Sequence, residues 1–231
     1  MSRSTASAAT AAAVATAVTA APVRRRRKEA RPAELTAAAL DLFVDKGYAA
    51  TRLEDVAARA GVSKGTLYLY FDGKEALFKA VVREGLLPAL TEGEALVDRF
   101  SGPAVDLLRE VVAGMWRLIG SQRIGGIPKL VFSEAHNFPE IARFYHAEVI
   151  LRGTALIRSV IERGVARGEF RVADVNAAIH IVIGPLLMRM IWRHSIDCCT
   201  EAGVGDEAYF STYFDIMLGG LCGEPPARKI R

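Results

Sequence analysis

Between Ser63 and Phe71 the chain reads SKGTLYLYF, which places Ser63, Lys64, Thr66, Tyr68 and Tyr70 within eight positions. Serine, threonine and tyrosine hydroxyls both donate and accept hydrogen bonds, whereas a lysine ammonium only donates. Short donors and one cation gathered at the leading end of a helix suit an anion. The unpaired backbone N–H groups and the positive end of the helix dipole lie there too. Gly65 leaves the middle of this surface without a side chain, at a cost of about 1 kcal/mol in helix propensity. That cost has a reason if a partner must approach the backbone closely. Leu67 and Phe71 have no polar tip and serve as anchors to a core. Gly61 to Gly65 also satisfies the G-x-S-x-G pattern of a hydrolase nucleophile, but that chemistry needs a strand ahead of the serine, and the residues ahead have helical periodicity.

The neighbouring elements must position this run. Leu35, Ala39, Leu42 and Phe43 recur at i, i+4, i+7 and i+8, which predicts a helix that Gly47 ends. Thr51-x-x-Glu54 reads as a capping box for a second helix, whose apolar face is Leu53, Val56, Ala57 and Ala60. Gly61 then turns the chain, Ser63 caps a third helix near Lys64 to Tyr68, and a fourth starts at about Lys74. Helix, glycine turn and short helix make a helix-turn-helix, whose second helix enters the major groove of duplex DNA by its N-terminal end. On this reading Lys64, Thr66 and Tyr68 touch DNA, with Ser63, Gly65 and Tyr70 beside them. Lys74 opposes the dipole of the helix it opens, which a nearby phosphate would offset. Arg24, Arg25, Arg26, Arg27 and Lys28 stand ahead of the first helix as a basic arm for the DNA backbone or minor groove.

Residues Arg31 to Val82 resemble the DNA-binding domain of the TetR/AcrR family of transcriptional regulators, above all GVSKGTLYLYFDGKEALF preceded by TRLEDVAARA. The resemblance implies that Thr51, Lys64, Gly65, Thr66, Tyr68, Tyr70 and Lys74 lie at or near DNA. It also implies a homodimeric repressor that releases operator DNA when a small molecule binds the larger domain, with the last two helices pairing across the dimer. The sequence departs from the family pattern at Asp72-Gly73, where relatives often carry a basic or small polar pair.

The remaining composition agrees with an all-α protein. The chain has 231 residues, 51% of them hydrophobic, and a net charge of +4. From Val23 to Pro88 there are 13 basic against 9 acidic side chains, so the basic surplus sits in the first third. Residues 1–30 are expected as a disordered Ala/Thr-rich tail and basic arm, 31–82 as the helix-turn-helix domain, 83–223 as a ligand-binding and dimerisation domain, and 224–231 as a tail. Residues 1–22 lack Leu, Ile and Phe and precede their basic cluster, contrary to a secretory signal. The three cysteines make no disulfide framework, which points to the cytoplasm. The apolar run from Ile179 to Met188 is too short to cross a bilayer.

Pro, Gly and Gly-Pro punctuation divides the second domain into helices near 104–120, 127–136, 139–167, 174–196 and 206–221, for about nine helices in all. Trp116, Phe132, His136, Phe138, Phe144, Tyr145, His180, Met188 and Trp192 are the candidates to line an apolar effector pocket there. No metal or cofactor motif is present. His180 and His194, fourteen residues apart on one helix, stand about 21 Å from each other and cannot share an ion. Ala177 to Trp192 is apolar nearly all round and must be covered on every side, by the chain's own core or by a second copy. A helical small-molecule-binding protein without specific DNA binding is the alternative reading.

Overall fold

The stripe of Leu35, Ala39, Leu42 and Phe43 folds as expected, and all four side chains are buried. They lie on α1 (Val23–Ala50), which packs against α2 (Leu53–Arg59), α4 (Lys74–Gly85) and α7 (Ile127–Glu134). The structure is a computed structural model that describes residues 23–199 and 203–223, with the backbone alone for residues 23–30 and Cys198. The expected tails at 1–22 and 224–231 lie outside the described residues. Because α1 starts at Val23 and passes through Pro32, the basic run Arg24 to Lys28 belongs to its first turns and does not precede it. Gly47 breaks the helix at φ 83°, a conformation that glycine adopts without steric cost.

The remaining helices are α3 (Lys64–Tyr68), α5 (Leu87–Arg99), α6 (Ala104–Met115), α8 (Pro139–Tyr145), α9 (Leu151–Ala166), α10 (Val175–Arg193) and α11 (Asp206–Cys222). Helix α4 runs into α5 across Leu86, and α8 into α9 across a π-helical turn at His146–Ile150, so the described residues form nine continuous rods. A second π turn, Trp116–Gly120, extends α6, and 3-10 turns lie at Arg123–Gly126 and Asp197–Cys199. The protein is all-α. Pro88 does not end a helix; it occupies the first turn of α5, where its missing N–H has no intrahelical partner to lose.

Two apolar cores hold these rods. One joins α1, α2, α3 and α4 to α7, α8 and the lower half of α10 through Phe43, Phe78, Val82, Ile127, Ile141 and Leu186. The other lies among α5, α6, α9, α10 and α11. The boundary expected near residue 82 therefore falls inside α4 and inside a shared core.

Arg189, 9% exposed, sits on the otherwise apolar α10 and needs a counter-charge. It binds Asp206 Oδ1 at 2.8 Å and the Val204 carbonyl oxygen at 2.9 Å. Asp206 Oδ2 also accepts from Trp116 Nε1 at 3.2 Å and from Arg193 at 3.1 Å, so one carboxylate ties α6, α10 and α11 together. By length and composition alone α10 could cross a membrane, yet it packs on α7 and α9 and carries this buried ion pair.

Candidate nucleic-acid interface and effector cavity

Ser63 is the N-cap of α3. Its side chain accepts from the Thr66 backbone N–H at 3.1 Å, and its hydroxyl lies 2.9 Å from that of Thr66. A turn through Gly61 and the helix α2 precede it, and no strand occurs among the described residues, so the nucleophile elbow is absent. Leu67 is fully buried and Phe71 packs partly into the core, which seats the short helix.

The opposite face is open. Tyr68 is 46% exposed, and Lys64 extends over its ring with 5.8 Å between ammonium and centroid. Lys64 also pairs with Glu54 of α2, which holds the Glu54 carboxyl below and the Lys64 ammonium above their usual ranges. Gly65 has neither a left-handed backbone nor a crowded neighbourhood. A Cβ there would meet only Ser63 Oγ, at 3.8 Å. Nothing inside the protein requires glycine at this position.

Thr51 and Lys74 are placed differently from expectation. Thr51 is 1% exposed, and its hydroxyl lies 2.7 Å from the Gly47 carbonyl oxygen and 3.1 Å from that of Leu42, so it ties down the end of α1. Arg52 takes the N-cap position of α2 with no side-chain bond, and the Thr51–Glu54 capping box does not form. The Lys74 ammonium donates to the carbonyl oxygens of Tyr48 (2.8 Å), Ala49 (3.1 Å) and Thr51 (3.2 Å) and stands 4.6 Å from the Tyr48 ring centroid. These carbonyls at the negative end of α1 supply what a phosphate was expected to supply. Burial moves the Lys74 pKa down. Both side chains are engaged by the protein's own backbone beside the reading head.

Tyr48 was not singled out by the sequence. It is 3% exposed, stacks among Phe43, Phe78 and Phe138, and has its pKa raised to about 12, chiefly by burial. Phe138, an expected pocket residue, is thus part of the joint between the reading head and α8.

A second joint is the turn Arg123–Gly126. Arg123 pairs with Asp45 and donates to the Asp41 carbonyl at 3.1 Å. A Cβ on Gly126 would lie 2.8 Å from a Val44 methyl and 3.3 Å from His194 Nδ1, so only glycine lets α1 and the end of α10 close on this turn. The pKa of His194 is lowered, first by burial and then by Arg193, Arg123 and Lys129.

The second domain holds a cavity of about 390 Å3 among α5, α7, α9, α10 and both π turns. Phe132, Tyr145 and His180 line it, as expected. The other six candidates do not. Trp116 is bonded to Asp206 and packs at a tilt against the Phe210 ring, Phe138 packs on Tyr48, and Phe144 lies under Lys79 and Arg83. His136 is exposed, and Met188 and Trp192 point outward at 57% and 42% exposure. Aliphatic residues the sequence did not mark make most of the wall, among them Leu86, Leu90, Ile119, Ile150, Ile183 and Leu187. Ile119 and Ile150 lie in the two π turns, a departure from regular helix that often marks a functional site. Among the described residues no cluster of three His, Cys, Asp or Glu could hold a metal ion.

A helix-turn-helix with an open recognition face, joined through one core to a helical domain with an apolar cavity, defines a DNA-binding transcriptional regulator. Two family models match the chain: bacterial regulatory proteins of the tetR family over residues 35–81, and the tetracyclin repressor-like C-terminal domain over residues 101–197. The transcriptional regulator RutR of Escherichia coli (strain K12) is 46% identical over 202 residues, covering 81% of this chain and 87% of its own. The chain belongs to the TetR family and is a transcriptional regulator, not an enzyme.

Solved structures share the fold. The ketosteroid regulator KstR2 of Mycobacterium tuberculosis matches with a TM-score of 0.66 at 23% identity, over 84% of this chain and 96% of its own. FadR of Bacillus subtilis, solved with stearoyl-CoA, matches with a TM-score of 0.62 at 18% identity, over 81% and 98%.

Proposed function

We propose that the protein is a dimeric repressor that binds a palindromic operator in the cytoplasm and releases it when a small apolar or amphipathic effector fills the 390 Å3 cavity. The observation that carries this reading is α4. At its start Lys74 clamps the end of α1 beside the reading head, and directly after its end Leu86 lines the cavity. Twelve residues of helix make a rod of about 18 Å between the two. A ligand that displaces Leu86 must shift α4 or repack around it, and α4 carries the Lys74 clamp with it. By linkage, the factor by which ligand weakens DNA binding is the factor by which DNA weakens ligand binding.

On the outer face of each head, Lys64, Thr66 and Tyr68 read and hold the DNA, with Ser63, Gly65 and Tyr70 beside them. The basic run Arg24 to Lys28 adds attraction to phosphates. The dimer forms through α10 and α11. Only 33% of the most apolar window of α10 is buried within one chain, which leaves Ile181, Met188 and Trp192 uncovered. Ile216 of α11 is 73% exposed, and a groove of about 880 Å3 runs between the two helices. A second copy laid across this groove covers these side chains and brings two recognition helices to one duplex. Their spacing must then be about 34 to 36 Å to reach successive major grooves.

The test is selection from random duplex DNA by the full chain at moderate salt. Enrichment of a palindrome with half-sites about one helical turn apart supports the proposal. Retention of DNA with no enriched sequence overturns it.

A further inference from the structure

We infer that the cavity accepts an uncharged, largely apolar molecule of about ten to twenty non-hydrogen atoms bearing one hydrogen-bond acceptor, such as a ketone, ester or lactone carbonyl, to which the Tyr145 hydroxyl donates. This deepens the effector reading above and rests on it. The size follows from 390 Å3 at about 30 Å3 for each water-sized group, with somewhat tighter packing in a protein interior.

The chemistry follows from the wall. None of its described lining residues is Asp, Glu, Lys or Arg, so a buried carboxylate or phosphate would meet no counter-charge. The Thr154 hydroxyl is already held by the Ile150 carbonyl oxygen at 2.8 Å. His180 stands at the exposed rim. Tyr145 differs from both. It is 5% exposed, it lines the cavity, and no described residue bonds its hydroxyl. Burial pushes its pKa up, so it stays a neutral donor at any working pH. Buried polar groups in proteins almost always have a partner. Buried Tyr213 obeys that rule by donating to the Val182 carbonyl at 2.8 Å, and half-buried Tyr209 donates to that of Pro185 at 2.7 Å. The Tyr145 ring is buried but its hydroxyl keeps accessible surface and lies open to the cavity, where a ligand's acceptor can meet it.

Three probes of nearly equal size separate the possibilities by calorimetric titration of the full chain at pH 8: butyrophenone, n-butylbenzene and para-propylbenzoate. Butyrophenone should bind most tightly and para-propylbenzoate about 100-fold more weakly, because its charge would be stranded. Tyr145→Phe should weaken butyrophenone about three- to tenfold and leave n-butylbenzene unchanged. Gly153→Leu localises the site: a Cβ at Gly153 meets only Leu90, at 3.9 Å, so the rest of the new side chain extends into the cavity and should abolish binding of every probe.

Equal or tighter binding of the carboxylate, or of decanoyl-CoA, overturns the inference. So does an unchanged affinity for butyrophenone in Tyr145→Phe, normal binding in Gly153→Leu, or failure of all three probes to bind. Operator binding by the same samples distinguishes the two levels. Intact operator binding with no probe binding refutes the ligand class alone, whereas probe binding without operator binding refutes the repressor reading.

Discussion

Gly65→Ala isolates the demand that DNA makes on the recognition helix. In the free protein the new methyl would meet only Ser63 Oγ, at 3.8 Å, and the backbone is not left-handed. The fold should therefore tolerate alanine and gain up to about 1 kcal/mol from its higher helix propensity. On the proposed binding mode the same methyl would stand on the face turned to the major groove. If the helix backbone sits against the DNA, the methyl overpacks that contact, at a cost of about 1 to 3 kcal/mol. At 1.4 kcal/mol per tenfold, operator affinity should fall about 5- to 150-fold. Fluorescence anisotropy with the selected operator reads the affinity, and thermal unfolding of the same sample reads the stability. Gly61→Ala is the contrasting control. It has open space around it but a φ of 65°, so alanine there should lower stability through backbone strain. Undiminished operator affinity in a stable Gly65→Ala protein would refute close approach as the reason for glycine.

Three further perturbations test two joints of this head and the proposed dimer face. Lys74→Met removes three hydrogen bonds to the end of α1 and should cost about 2 kcal/mol in urea unfolding, and an unchanged midpoint would deny the clamp. The His194 pKa is depressed below its ordinary 6.5, so below that pH the unfolded chain takes up a proton that the folded chain resists. Melting temperature should accordingly be insensitive to this group above pH 6.5 and decline as pH falls further. His194→Gln should remove part of the decline; an identical pH profile in the variant would exclude His194 as its source. Ile216→Asp places a charge on the exposed groove between α10 and α11 and should leave the monomer folded while raising the dimer dissociation constant about 100-fold or more, as read by sedimentation velocity. An unaltered dimer would move the interface elsewhere.

Much of the reading head was legible because it is built from local rules. The stripe on α1, the break at Gly47, the Ser63 cap and the length of α3 all depend on residues within a turn or two of one another, and each stands where the pattern put it. Thr51 and Lys74 misled for one shared reason. Their partners are backbone carbonyls at the end of α1: Thr51 turns back on Gly47 and Leu42 where the helix breaks, and Lys74 reaches Tyr48, Ala49 and Thr51 once α1 folds against the start of α4. A sequence displays the donor type but not the carbonyls that the folded backbone will deliver to it. A capping signature and a helix-opening lysine therefore look the same whether they face solvent, phosphate or the protein's own backbone.

The cavity was less legible because a wall and a core are made of the same residues. The aromatic candidates Trp116, Phe138 and Phe144 instead stabilise joints between helices through tilted and edge-to-face ring contacts and cations over their rings. The wall is mostly aliphatic, and Leu86 or Ile183 carries no mark to separate it from Leu107 or Ile157, which are packed solid. What marks the space in the structure is a departure in the backbone. The π turns at Trp116–Gly120 and His146–Ile150 depart from the regular helical register, and Ile119 and Ile150 in them line the cavity. Such turns are a compromise between the packing of two long helices, and the only local trace of the first is Gly120, where a Cβ would lie 2.1 Å from the Trp116 ring. The residue proposed to give the space its chemistry leaves no trace of that kind: Tyr209 and Tyr213 reach the carbonyl oxygens of Pro185 and Val182 inside α10, whereas no described residue bonds the Tyr145 hydroxyl, a difference set by tertiary packing.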